Sequence, residues 1–216
     1  MALREIEYFY STHSAFAYIG SSRLREISAR HGCRLIHRPF ALSPVVEAAG
    51  GASFAGRTQR HVDYFFGREI ERWAAYRGVP IIDHRPTYHD KPLALSSGMM
   101  IRAQELDLDM DALAHALLEA HWRDDIDLTD EKALTHAATN VGIDAAPLLE
   151  KAMSTSVQDT FAKNTQEAIE RGFFGSPTYI LNGDMFYGQD HLELLEQALN
   201  TPFPAPGFRN PPVNAL

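Results

Sequence analysis

Apolar residues along the chain fall in short continuous runs or recur every three to four positions, and the order of the two patterns predicts an α/β protein. Ile6 to Tyr10 is short and aromatic-rich, as a strand should be, and the small polar run Ser11-Thr12-His13-Ser14 breaks it. From Ser14 onward Phe16, Ile19, Leu24 and Ile27 recur at helical spacing between Arg23, Arg25, Glu26 and Arg30. Gly32 stands just past the end of that helix, where a left-handed residue is favoured. Leu35, Ile36 and Phe40 lie in a second strand that closes near Pro39. Strand, helix and strand in succession predict a βαβ unit with parallel strands and a right-handed crossover.

The following stretch reads as helices. Arg60–Arg77 is amphipathic, with Tyr64, Phe65, Ile70, Trp73 and Tyr76 as its apolar stripe. That stripe is expected to form the core of the helical block, or in part the roof of a pocket over Ser14. Residues 78–92 hold Pro80, Pro86 and Pro92 and predict a loop. Helices are expected over Ala94–Leu106, Met110–Arg123, Glu131–Val141 and Pro147–Ala152, with Asp109, Thr129 and Asp144 as N-caps. A longer one follows from about Ser156 to Arg171. Thr178–Leu181 and Met185–Tyr187, joined at Asn182-Gly183, predict a β-hairpin, because both residues of that tight turn need positive φ. Gly188-Gln189-Asp190 opens a last helix carrying Leu192, Leu194, Leu195 and Leu199, with Asp190 and Glu193 as a capping-box-like start. A βαβ half and a ββα half joined in one mixed sheet are a thioredoxin-type plan. The expected division is therefore a thioredoxin-like domain over residues 1–45 and 170–200, a helical insertion domain over 46–169 and a tail over 201–216. The tail holds five prolines and should be extended, docked on the body or a neighbour.

Composition narrows the function. The formal net charge of −8 argues against nucleic-acid or anionic-membrane partners, which favour a basic face. The lone cysteine, Cys33, forbids an internal disulfide and a CxxC dithiol, and reads as a small apolar residue at a strand start. Met1-Ala-Leu-Arg-Glu has no signal-like apolar region, and no apolar run approaches the ~20 residues of a membrane span, so a cytoplasmic protein is expected. Ten histidines invite a metal site, but His115/His121 and His84/His89 lack the i,i+4 spacing and no cysteine cluster accompanies them. There is no GxSxG elbow and no glycine-rich nucleotide loop. His13 adjoins Ser14, but neighbours on extended backbone point to opposite faces.

Three distant segments carry candidate chemistry. Ser14, at the junction of the first strand and helix, serves as an N-cap, or as a hydroxyl facing an anion held by the helix terminus. A bound thiolate is such an anion, and a charge-assisted hydrogen bond to it is a strong one. In Phe174-Gly175-Ser176-Pro177-Thr178 the proline leads directly into a strand, a context compatible with a cis bond and also with an ordinary trans turn. Tyr187-Gly188-Gln189-Asp190 combines backbone N–H groups with a carboxylate, a pair suited to an α-amino-acid group and equally to a hairpin exit.

Taken together, Tyr8–Tyr18, Phe174–Thr178 and Tyr187–Asp190 resemble the DsbA-like, kappa-class glutathione transferase family, and within it the 2-hydroxychromene-2-carboxylate isomerases. The resemblance spans roughly residues 5–200, including the Arg72-Trp73-Ala74 element of the insertion. It implies glutathione as cofactor, with Ser14 facing the sulfur. Ser176, before the family's cis-proline Pro177, would pair through its backbone with the cysteinyl part. Tyr187, Gly188, Gln189 and Asp190 would hold the γ-glutamyl end. The implied reaction adds the thiolate to an aromatic chromene substrate, lets the ring open and a bond rotate, then eliminates glutathione with no net redox change. Relatives commonly are homodimers, and carry aspartate and proline where Ser11 and Ala15 stand here. The family's anion-binding lysine has no direct counterpart; Arg57, Arg60 or His61 lies nearest, and Tyr88 falls in a substrate-side region. A kappa-like transferase or peroxidase, or a non-catalytic binding protein in which Ser14 only caps its helix, are the alternatives.

Overall fold

The structure is a computed structural model that describes residues 4–212. Strand β1 (Arg4–Tyr10), helix α1 (Ala15–His31) and strand β2 (Cys33–Pro39) form the first unit, and Gly32 ends α1 at φ 59° with its N–H on the last-turn carbonyls. Strands β3 (Thr178–Leu181) and β4 (Asp184–Tyr187) form the expected hairpin, with Asn182 and Gly183 both at positive φ. The sheet order is β2-β1-β3-β4; β1 and β2 are parallel, while β1/β3 and β3/β4 are antiparallel. This is the mixed sheet of the thioredoxin-like fold.

Alternation along β1 divides the core. Ile6, Tyr8 and Tyr10 face one side with α1 and the last helix, α10 (Leu192–Asn200), and Tyr8 stacks on Tyr10 at 4.3 Å between ring centroids. Phe9 faces the other side with Phe40, Ala168, Phe173 and Ile180. The first cluster continues without a break into the helical block through Leu113, Leu117 and Leu134.

Between β2 and β3 lie α2 (Leu42–Ala48), α3 (Gln59–Asp63), α4 (Glu69–Arg77), α5 (Ala94–Glu105), α6 (Met110–Arg123), α7 (Glu131–Thr139), α8 (Ala146–Ala152) and α9 (Thr155–Glu170). Helix α2 is absent from the sequence expectation; it places Pro44 in its first turn, where a missing N–H costs no hydrogen bond. The single helix expected over Arg60–Arg77 is corrected: a π-turn at Tyr64–Arg68 separates α3 from α4. That extra residue per turn rotates the aromatic stripe apart. Tyr64 and Tyr76 end 55% and 73% exposed, while Ile70 is buried in the main core with Trp73 packed against it, so only part of the stripe is core.

Capping also differs in detail. Asp109 caps α6 as expected, accepting from Ala112 N. Asp130 rather than Thr129 caps α7, because Thr129 is tied back to Asp127 through both its N–H and hydroxyl. Asp144 accepts from Ala146 N at the start of α8. The capping box at Asp190 and Glu193 does not form: Gln189–His191 is a 3₁₀ turn, and Glu193 instead pairs with Arg77. Cys33 is half-buried against the main core. The tail is extended and exposed from Thr201 to Pro212, with Phe203 near Phe186; residues 213–216 lie outside the described residues. Among the described residues no helix is long and apolar enough to cross a membrane.

Candidate active site

The break after β1 is held from three sides. Thr12 Oγ1 meets Ser96 Oγ of α5 at 2.8 Å, Trp122 Nε1 of α6 donates to the His13 carbonyl at 2.8 Å, and Ser11 N donates to Ser176 Oγ at 3.0 Å. Ser14 is thereby fixed as the N-cap of α1. Its Oγ accepts from Ala17 N at 3.2 Å and donates to the Ser176 carbonyl at 3.2 Å. Both serines are nearly buried, at 6% and 8% exposed, and the Ser176–Pro177 bond is cis. Among the described residues the Ser176 N–H has no protein acceptor. Gly175 lets the Tyr187 ring pack close, since a Cβ there would lie 3.1 Å from its hydroxyl.

A cleft of about 480 Å³ opens over this junction. Ser14, Ser176 and Tyr187 line one side, Phe54, Phe65 and Phe66 form an aromatic wall, and the 81–89 loop with Trp122 closes another. The aromatic residues that reach the cleft are thus Phe65 and its neighbours rather than Tyr64 or Tyr76. Of the other expected site residues, His61 lines the cleft. Arg60 and Tyr88 do not; Tyr88 sits 40% exposed outside it. Gln189 is buried, its side chain and carbonyl both held by Arg77 at 3.2 and 3.0 Å. Gly188 takes φ 93°, which lets the Asp190 carboxylate fold over it: a Cβ would lie 2.3 Å from Oδ1. Pro177, Gly188, Gln189 and Asp190 therefore support the cleft from behind Tyr187 rather than lining it.

Charge in the cleft is uneven. Arg57 lies over the Phe66 ring at 5.3 Å, and its Nη1 reaches His61 Nε2 at 2.8 Å. Its Nε is buried without a partner, and no carboxylate of the described residues lies within ion-pair distance of it. Arg85, by contrast, is neutralised by a bidentate pair to Asp90 at 2.6 and 2.6 Å. Burial and the Asp190 charge push the Tyr187 phenol up, with Arg57 pulling the other way, which keeps it a neutral hydrogen-bond donor. On the opposite wall, burial pushes the imidazole of His13 down to about 4 and that of His89 down to about 2. Among the described residues no three His, Cys, Asp or Glu side chains gather as a metal site requires. Arg57, His89 and Trp122 carry no local spacing signal; they reach the cleft from three separate elements.

The chain belongs to the DsbA-like thioredoxin family, whose domain model matches residues 5–200. A 2-hydroxychromene-2-carboxylate isomerase from Sphingobium xenophagum is 28% identical over 200 residues, covering 91% of this chain and 98% of that one. Glutathione S-transferase kappa 1 of Rattus norvegicus is 24% identical over 216 residues, covering 95% of each chain. A solved 2-hydroxychromene-2-carboxylate isomerase shares the fold at a TM-score of 0.77 and 24% identity, covering 91% of this chain and 94% of that one.

Proposed function

We propose that the cleft binds glutathione with its sulfur at Ser14 and isomerises an aromatic carboxylate by reversible thiol addition. The observation that carries this reading is the junction itself: a buried hydroxyl at the N-terminus of α1, facing a cis-proline loop and an open aromatic cleft. The free Ser176 N–H suits a main-chain carbonyl of an extended ligand, and Tyr187, braced by the turn behind it, suits the ligand's γ-glutamyl end. The Ser14 hydroxyl donates to the Ser176 carbonyl. A thiolate would draw it away, because a hydrogen bond to an anion is about twice as strong as one to a neutral acceptor. The helix terminus adds the favourable end of its dipole. The thiolate then forms a C–S bond at one alkene carbon of the substrate, rotation follows about what has become a single bond, and the C–S bond breaks again. Phe54, Phe65 and Phe66 suit an aromatic ring, and the unpaired Arg57 guanidinium suits its carboxylate, which arginine can hold bidentately. Both relatives named above act in this direction, one as an isomerase and one as a glutathione transferase. Transfer of the same activated thiol to an electrophile is the second reading, favoured by the kappa relative's coverage of nearly the whole chain.

Ser14→Ala tests the assignment. Losing a hydrogen bond to a charged group costs about 1.5–3 kcal/mol, so the thiol of bound glutathione should titrate about one to two pH units higher. The ultraviolet absorbance of the thiolate reads this directly, and chromene isomerisation separates the two readings because it consumes no glutathione. An unchanged thiol titration and rate in Ser14→Ala would overturn the role.

A further inference from the structure

Three histidines from three separate segments stack inward from the cleft wall beside Ser14, His13 and His89 lining the cleft and His121 buried behind them. His13 precedes α1, His89 lies in the 78–92 loop and His121 ends α6. The rings of His13 and His89 are 4.4 Å apart and 13° from parallel, and those of His89 and His121 are 5.3 Å apart and 19° from parallel. Trp122 packs edge-on against His89 at 5.3 Å while holding the His13 carbonyl. Such a stack does not converge its nitrogens on one point, so it suits protons rather than a metal.

The hydrogen bonds assign those protons. His121 Nδ1 lies 3.0 Å from the Ile126 carbonyl, which can only accept, so this nitrogen carries hydrogen. Burial holds His121 neutral and leaves its Nε2 bare. That Nε2 lies 3.0 Å from His89 Nδ1, which must therefore be the donor. His89 is held neutral by burial and by its histidine neighbours, so its other nitrogen, Nε2, is an unprotonated acceptor. It has no protein partner and is not among the sealed polar atoms, and His89 lines the cleft with Ser14. A backbone carbonyl thus sets the tautomer of a base two rings away.

We propose that His89 takes and returns the proton of the reaction, with His121 as the relay behind it. The inference rests on the thiol-addition reading. The glutathione S–H bond breaks with its electron pair left on sulfur, and the proton goes to His89 Nε2. The Nδ1 proton of His89 passes to His121 Nε2. When sulfur adds to the alkene, the displaced electron pair on the conjugated oxygen takes a proton back along the same path, and elimination reverses this. No proton or electron is gained or lost over the cycle. The relay explains an otherwise poor base: positive charge on His89 is opposed by burial, His13, His121 and Arg85, with only Asp90 in favour. At His121 burial again opposes it, with Arg85, but the Ile126 carbonyl, Asp125 and Asp127 all favour it, three supporting groups against the one at His89. Asp125 is itself anchored by the Thr87 N–H and hydroxyl at 2.7 and 2.6 Å, with His84 at 3.7 Å.

Long-range ¹H–¹⁵N NMR of the full chain near neutral pH tests the assignment without any substrate. His89 and His121 should both be neutral and protonated at Nδ1, and His121→Phe should release His89 from that tautomer. A charged His89, or one protonated at Nε2 in the unaltered protein, would overturn the relay. In turnover, His89→Asn and His89→Gln should each slow the glutathione-dependent reaction about a hundredfold, the low end of a general base's contribution, while the affinity for glutathione is retained. An unaltered rate in folded variants would refute the proton role. Failure of the unaltered protein to bind glutathione would instead bring down the thiol reading, and the proton role with it, even where the NMR tautomers hold.

Discussion

Acidification from about pH 7 to pH 5 should destabilise the fold through His13 and His89. Their unfolded pKa is near 6.5, while burial holds the folded values at about 4 and about 2. A depressed folded pKa means the unfolded chain binds the proton first, so the stabilising contribution is complete above 6.5 and is lost as the pH falls toward the folded values. At about pH 5 an unfolded histidine is nearly fully protonated and either buried ring nearly bare, a difference of about 2 kcal/mol per residue. Part of the His89 shift is repulsion from a charged His13, and both rings are partly exposed, so the two do not add fully. A combined loss of about 2–3 kcal/mol is expected, a large share of a typical 5–15 kcal/mol stability. His115 and His121, also lowered by burial, add to the loss, while the exposed His84, raised by Asp83, acts weakly in the opposite direction. Urea unfolding followed by circular dichroism at the two pH values measures the change. His89→Gln should reduce the pH dependence by about 1–2 kcal/mol. A stability that stays level across this range, or an identical slope in His89→Gln, would refute the reasoning.

Other outcomes follow from contacts elsewhere. Gly98→Ala should cost at least the 1–3 kcal/mol of a typical overpacked site, about that range or above, because the new Cβ would lie 2.2 Å from the Ala152 carbonyl oxygen where α5 meets α8; a thermal melt within a degree of the parent would contradict the packing. Arg57→Ala should raise KM for a carboxylate-bearing substrate about tenfold or more with kcat little changed, and Arg57→Lys should recover only part of it. Equal losses for carboxylate and uncharged substrates would show that Arg57 packs the wall rather than recognising charge.

The parts of this fold legible in the chain are those whose causes lie within one element. A short aromatic-rich run made β1 visible, Asn182-Gly183 marked the hairpin, and Ser14, Gly32 and Asp109 announced helix ends because a cap acts within a turn of its own residue. The π-turn at Tyr64–Arg68 was invisible, since the residues around it keep helical spacing along the chain. Asp190 reads as a helix cap by spacing, but Arg77, over a hundred residues earlier, claims Gln189 and Glu193 and makes the turn a support for Tyr187.

The same division runs through the site. Ser14, Ser176 and Tyr187 could be singled out from local motifs because each sits where an element begins or ends, and such places present backbone groups to a ligand. Local order says nothing about distance in space, so the unpaired charge of Arg57 and the stacked rings of His13, His89 and His121 became meaningful only once their elements were packed together. Even the protonation of His89 is a tertiary property: it follows from burial and from the Ile126 carbonyl acting through His121, neither of which any spacing along the chain encodes.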